Sequence, residues 1–383
     1  MRWVVMPIKS ILLMKHFIYS IGVFLFISIL LNSCAKEEKV EANLTTLQLS
    51  EVLTIESNEE NNSSAPILPF VADVAVNSDG HIYIFTGQDS KFHIYDQNGN
   101  WMKSFGNSGS GPGEFGQVST IYIDSRDRLI VADRGNGRIS IFDNQGPLIA
   151  TSSSGGINTI RSIREMPGGR FIVTGEKDDY LIHIFDSEFN SIQSSFTTVE
   201  EFVNNERESE KQWIMGQAGQ VYPWSEGLIA FVPANYQGVV YLYEEKSVND
   251  WHLIEKIDGY KAFEPALTFH SNQPTSDTPV HGIVGSPAGM MFISYRTLSY
   301  GFYQTQEGSL YHISYQATEE GMNLVIEHFD TASNKLIEYG IVDDLDIEHS
   351  LRKQPLWMDN SSNLYLTDNS EIPRLQILNL EFN

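Results

Sequence analysis

The chain repeats itself, and the repeat limits what it can become. One apolar run recurs six times: Phe92-His93-Ile94-Tyr95-Asp96, Ile139-Ser140-Ile141-Phe142-Asp143, Ile182-His183-Ile184-Phe185-Asp186, Val240-Tyr241-Leu242-Tyr243-Glu244, Tyr311-His312-Ile313-Ser314-Tyr315 and Leu375-Gln376-Ile377-Leu378-Asn379. Successive copies begin 43 to 71 residues apart. A second run precedes each copy and follows a turn: Asp79-Gly80 before 82–85, Arg126-Asp127 before 129–132, Gly168-Gly169 before 171–173, Glu226-Gly227 before 228–231, Ala288-Gly289 before 291–293, and Ser362-Asn363 before 364–366. Runs that are short, β-branched or aromatic, and bounded by Gly, Asp and Asn read as strands and tight turns. A fixed supersecondary unit repeated this often means an array of small sheets. The β-rich runs exclude a helical solenoid, and an open sandwich does not explain the repeat.

The best-formed copy spans Gly106 to Gly146, a glycine-rich lead-in loop followed by three strands. Each copy requires a fourth strand, and candidates lie at 101–105, 148–152, 192–196, 251–257 and 324–329. The sixth copy has none, because the chain stops at Asn383. An unassigned alternating stretch at 44–55 is the natural substitute. An early strand that completes the last sheet closes a ring and hides edges that would otherwise pair with other chains. The expected fold is all-β: a six-bladed β-propeller of four-stranded antiparallel blades, closed by an N-terminal strand and occupying 44–383.

The first 33 residues read as a leader. A basic start at Met14-Lys15-His16 precedes an apolar stretch from Phe17 to Leu31 and then Asn32-Ser33-Cys34. Met14 offers an alternative start. Cys34 is the single cysteine, which excludes an internal disulfide and cysteine-based metal or thiol chemistry in the mature domain. Residues 34–43 are expected to act as a tether. The net charge is −24, and it becomes −27 once residues 1–33 are removed, since they carry Arg2, Lys9 and Lys15 and no acid. A chain so acidic, without a basic stripe, is not expected to bind nucleic acid.

Three motifs carry a resemblance. The leader ending in Cys34 resembles a bacterial lipobox, with Cys34 as the lipidated residue. Ala35-Lys36-Glu37-Glu38-Lys39 is similar to the surface-export signal of Bacteroidetes lipoproteins. The segment GSGPGEF, followed by Ile-Val-Ala-Asp, Arg-Gly-Asn-Gly-Arg-Ile and Phe-Asp, looks like the NHL repeat. Together they resemble the six-bladed β-propeller lipoproteins of Bacteroidetes, a family that implies no settled activity. The resemblance implies an outer-membrane lipoprotein, facing the periplasm or the cell surface, that touches the membrane through its lipid alone.

In the usual propeller topology, the loops joining strands two and three and those joining successive blades gather on one face, where ligands bind. In blade two this loop offers Arg134 and Arg138, whose guanidinium forks suit a carboxylate or phosphate. Alternatively, Arg138 pairs with an acid and Asn136-Gly137 only makes the turn. Residues 295–304 read as a long fifth-blade loop carrying Arg296, Tyr300 and Tyr303, with Tyr236 of blade four reaching the same funnel. Aromatics over a funnel suit stacking on a sugar or packing on a peptide. His281 is expected near the axis. The leading expectation is therefore a binding module for a glycan, peptide or envelope protein, with ligand residues Arg134, Tyr236, His281, Arg296, Tyr300 and Tyr303. No catalytic residue, metal or cofactor is expected in this reading.

The rival is a metal-dependent hydrolase or lyase of the gluconolactonase-like propeller type, with His281 and Asp73 as ligands. Such a site needs several converging carboxylates or amides. The axial positions expected here, Asp73, Thr120, Ser162, Gln220, Gly282 and Pro355, are mostly uncharged. His93, His183 and His312 are expected to be packing residues. The loop 109–115 lacks the Lys and Ser/Thr of a phosphate cradle and is expected to shape a crossing between blades. The acidic run 343–348 lacks the spacing of an EF-hand and reads as a solvated loop.

Overall fold

The computed structural model describes residues 42–56, 66–201, 218–260, 267–270, 282–286, 289–295, 297–305, 308–317, 322–342, 353–369 and 372–382. Six antiparallel four-stranded blades follow in chain order. Blade one is Val71–Val76, Ile82–Thr86, Lys91–Tyr95 and Trp101–Phe105. Blade two is Val118–Ile123, Leu129–Asp133, Arg138–Phe142 and Leu148–Ser153. Blade three is Ser162–Glu165, Phe171–Lys177, Tyr180–Phe185 and Ile192–Thr198, and blade four is Gly219–Ser225, Leu228–Pro233, Val239–Ser247 and Asp250–Asp258. Blade five is Thr297–Gln304, Leu310–Ala317, Met322–Asp330 and Lys335–Val342. Blade six is Lys353–Met358, Asn363–Asp368, Arg374–Phe382 and the early strand Leu47–Glu56. Each inner strand touches the next, and the sixth touches the first, so the blades form a ring. The fold is a six-bladed β-propeller.

Strand position explains the sequence pattern. The second strands of blades one and two are buried along their whole length, because both faces of each pack against neighbouring blades. The outer strands Trp101–Phe105 and Leu148–Ser153 alternate between partly buried and exposed. Continuous apolar runs therefore mark the middle of a blade, and alternation marks its rim. Six apolar clusters result, one at each junction between blades. The turn after the third strand is fixed by Asp96 and Asp143, whose carboxylates accept backbone N–H bonds from Asn98 and Gln145. Gly99 and Gly146 close these turns at φ 79° and 97°, a region that favours glycine.

The early strand closes the ring as expected. Leu47–Glu56 pairs antiparallel with Arg374–Phe382, from Leu47 opposite Phe382 to Glu56 opposite Arg374. One addition was not foreseen. Asn43–Thr45 pairs parallel with Glu338–Gly340 on the outer edge of blade five, and the Thr45 hydroxyl donates to Glu338 at 3.0 Å. The segment thus clips two blades together.

Blade five corrects the sequence reading. The run at 311–315, expected as the third strand, lies in the second strand, and 324–329, expected as the fourth, lies in the third. The run at 291–293 belongs to a separate three-stranded sheet, Leu267–His270, Gly289–Tyr295 and Gly282–Ser286. That inserted hairpin has the same turn-then-apolar grammar as a blade and displaced the register by one strand. The interval of 71 residues between Val240 and Tyr311 was its visible trace. Residues 295–304 are consequently no loop, because Thr297–Gln304 is the inner strand of the blade.

The glycine-rich loop is structural. Phe115 is fully buried, with ring centroids 5.9, 5.3 and 5.7 Å from those of Phe85, Phe92 and Phe142. The Arg138 guanidinium donates to the Ser110, Gly111 and Glu114 carbonyls at 3.0, 3.0 and 2.6 Å. Arg138 therefore holds its own lead-in loop. Among the described residues no helix is long and apolar enough to cross a membrane. The leader, Cys34, the tether up to Glu41 and the acidic run 343–348 lie outside the described residues. Val199–Glu201 form one short 3-10 turn, and the rest of the charged insert expected there also lies outside them.

Candidate functional site

Six inner strands facing one axis leave a channel between them. A cavity of about 1220 Å³ occupies it and widens among the turns that join strands one and two. Each blade adds one such turn residue to the rim: Ser78, Asp127, Gly169, Glu226, Thr305 and Asn360. The mouth is therefore built from the first turn of each blade, while the loops joining strands two and three, which hold Arg134 and Tyr236, lie away from this lining.

The wall is polar and aromatic. Asp73 Oδ1 accepts from Val74 N and its Oδ2 from Ile121 N of blade two, each at 2.9 Å. Burial raises its pKa from 3.8 to about 6, against the lowering effect of those two N–H donors, the Thr120 hydroxyl and Arg164. Arg164 donates from Nη1 to its neighbour's carbonyl, Ile163 O, at 2.8 Å, and its guanidinium lies 5.8 Å from the centroid of Tyr122. Gly301 faces it at φ 123°, and a Cβ placed there would lie 3.4 Å from Gln220 Oε1 and 3.6 Å from both Arg164 Nη2 and the Tyr303 hydroxyl. Three polar groups thus converge on bare backbone. Arg161 also lines the cavity, and its pKa is lowered by burial and by the positive charge of Arg134. Tyr222, whose pKa burial pushes up to about 12, donates to Gln304 at 3.3 Å.

The Asp73 shift has a sign that can be checked. Its proton is held more tightly in the folded than in the unfolded chain, so stability falls as pH rises from about 4 to about 6. An NMR titration should place the Asp73 carboxyl midpoint near 6 in the native protein. A midpoint close to 4 would show that the channel is as wet as bulk solvent.

The expected site residues divide into three groups. Tyr300 and Tyr303 line the cavity from the inner strand of blade five, and the Tyr303 hydroxyl donates to the Tyr300 and Leu356 carbonyls at 3.0 and 3.1 Å. Arg134 is exposed in the turn Arg134–Asn136, outside the cavity lining but close enough to act on Arg161. Tyr236 corrects the expectation. It is fully buried between blades four and five, donates to Glu327 at 2.9 Å and stacks edge-on against His312 at 4.4 Å, so it presents no face to a ligand. Its loop begins with Pro233 at the end of a strand, and that strand carries the chain into the junction. His281 and Arg296 lie outside the described residues.

The axial positions also shift. Asp73, Thr120, Gln220 and Pro355 line the cavity as expected. Ser162 is buried in blade three, and Arg161 and Arg164 reach the channel in its place. In blade five Tyr300 and Tyr303 stand where Gly282 was expected. Tyr122, Tyr222 and Trp357 were missed, although each lies two residues beyond an axial position. The period of two along a strand puts them on the same face, and that rule would have found them.

His93, His183 and His312 are buried, as expected of packing residues. Among the described residues no group of three or more His, Cys, Asp or Glu comes together. Ser299, His312 and Glu327 stand in the order of a nucleophilic relay, with Ser299 Oγ 2.8 Å from His312 Nε2 and His312 Nδ1 2.7 Å from Glu327 Oε2. All three are enclosed in blade five, with Ser299 5% exposed, so a substrate has no approach.

Comparison with known proteins supports the fold from three directions. A family model, DUF5128, described as a 6-bladed beta-propeller, matches residues 71–197. The chain is 49% identical over 47 residues to protein lin-41 of Caenorhabditis elegans, a match spanning 12% of this chain and 4% of that protein. Among solved structures, a member of the DUF4221 family from Bacteroides vulgatus aligns with TM-score 0.54 at 10% identity, over 89% of this chain and 100% of that one. A candidate exported protein from Bacteroides fragilis aligns with TM-score 0.53 at 10% identity, over 89% and 99%. At that identity the likeness is one of fold. Repeat, topology and neighbours agree that the chain is a six-bladed β-propeller with structural neighbours among Bacteroides proteins.

Proposed function

We propose that this protein is a lipid-anchored binding module of the cell envelope, whose channel takes a glycan or a short peptide segment. The observation that carries this reading is the cavity of about 1220 Å³, in which tyrosines and a tryptophan surround a few converging polar groups. Ligand sites have that composition, apolar or aromatic walls with a small number of placed donors and acceptors. A volume somewhat above the ~300–1,000 Å³ of common small-molecule pockets suits several sugar units or a few amino acids. Tyr122, Tyr222 and Trp357 offer ring faces, and Arg164 and Gln220 offer orientation. The lipobox-like ending at Cys34 and the exported Bacteroides neighbour support the envelope location.

Calorimetric titration against a panel of envelope and dietary oligosaccharides and short peptides tests the site. Tyr222→Ala and Trp357→Ala are each expected to weaken a bound member roughly tenfold, the loss usual for a central aromatic contact. Binding unchanged in both variants would remove the channel as the site. In the same preparations, Cys34→Ser should move the protein from the membrane to the soluble fraction. Retention in the membrane would overturn the anchor.

A further inference from the structure

Deepening the reading just given, we infer that the channel selects an acidic saccharide, one whose carboxylate seats on Arg161 and Arg164 while its rings lie against the channel tyrosines. The charge arrangement points there. The protein as a whole carries −24, yet its channel wall holds two guanidiniums three residues apart on blade three. Among the described residues, no carboxylate lies within ion-pair distance of Arg164; its printed contacts are a backbone carbonyl and the Tyr122 ring. A guanidinium held at a wall with a fork turned to open space suits the two oxygens of a carboxylate.

The acids of the cavity are mostly engaged. Asp127 accepts from Ser78 N at 2.9 Å and from the Ser78 hydroxyl at 2.5 Å, and Glu165 accepts from Ser125 N and Oγ at 2.7 and 3.0 Å. Asp124 is paired with Arg128 at 2.7 Å. Asp73, the acid nearest the arginines in effect, ionises only near pH 6 and has both oxygens committed to backbone donors. Glu226 stands at the rim, where salt screens it from the channel interior over about 8 Å. Arg134, on the opposite side of Arg161, extends the positive track. A sugar acid is favoured over an acidic peptide by the wall itself. Tyr122 and Tyr222 offer broad faces for a ring, and Gln220 Oε1 and the Tyr303 hydroxyl at Gly301 offer partners spaced for ring hydroxyls.

The test titrates the full chain with oligogalacturonate, with the same oligosaccharide methyl-esterified, and with an oligoglutamate of similar charge. The acid form is expected to bind at least tenfold more tightly than the ester, and Arg164→Gln is expected to abolish that difference. Arg164→Lys should restore part of it, since charge returns without the fork, and unchanged melting curves show that both variants fold. Equal binding of acid and ester would overturn the inference while leaving a glycan-binding channel intact. Preferential binding of oligoglutamate would overturn it in favour of a peptide ligand. If none of the three binds and the neutral glycan panel also fails, the inference and the functional reading both fall.

Discussion

Deleting residues 42–56 is expected to leave a chain that no longer folds as a closed monomeric ring. The segment provides the outer strand of blade six over ten residues and the clip on blade five over three. Ile55 is buried in the junction of blades six and one, and Leu47 and Leu49 pack into the junction of blades five and six. Each buried aliphatic is worth roughly 1.5–3 kcal/mol, and each ladder hydrogen bond roughly 0.5–1.5 kcal/mol net. The loss is then on the order of 10 kcal/mol, comparable with the whole stability of an ordinary domain. Deletion also bares the edge of Arg374–Phe382, which would invite pairing with another chain. Size-exclusion chromatography should show aggregates, and a synthetic 42–56 peptide should restore the monomer. A monomeric deletion variant with an unchanged melting curve would show that closure contributes nothing.

Glu327→Ala should be the most damaging single side-chain truncation in blade five. The carboxylate is fully buried and accepts from the Tyr236 hydroxyl at 2.9 Å, from Tyr260 N at 2.6 Å and from His312 Nδ1 at 2.7 Å. Truncation leaves three enclosed donors without an acceptor, at a penalty of about 1–3 kcal/mol for each group left unmade. A combined loss of about 3–6 kcal/mol agrees with the effect of breaking other buried polar networks. Thermal melting should fall by roughly 10 °C. Water has no room to substitute, since a Cβ on Gly259 would already lie 1.8 Å from the Tyr236 hydroxyl. Glu327→Gln should fall between wild type and Ala, because it keeps an acceptor for Tyr236 but turns an amide donor toward His312 or Tyr260. A drop of less than 2 °C for Ala would mean that the network relaxes around the gap.

The ring was legible because its grammar is local. Phe92 to Asp96 and Ile139 to Asp143 carry strand and turn within five residues, and the lone strand before Phe70 had one vacancy to fill. Blade five was misread because local grammar cannot tell a blade hairpin from an inserted one, and both begin with Gly and an apolar run. The site was legible in part. Asp73, Thr120, Gln220 and Pro355 follow from counting along inner strands, whereas Arg164 enters the channel through a register offset that spacing does not reveal. Tyr236 misled for a physical reason. A tyrosine after Pro233-Ala234-Asn235 looks like a loop tip, yet its hydroxyl has a buried carboxylate to meet, supplied by a residue 91 positions away.

The double attachment of the early strand also governs how the ring responds to force. Tension arriving through the residues before 42 meets the three-residue parallel clip on Glu338–Gly340 first and the ten-residue closing strand only afterwards. Ladder bonds run perpendicular to strands, so a pull along the strand loads them together, and a pull across it opens them one by one. The clip therefore works as a mechanical fuse. It peels under a sideways tug and spares the closing strand, so a molecule held by one end in a shearing medium can yield at blade five while its ring, and the channel inside it, stay whole.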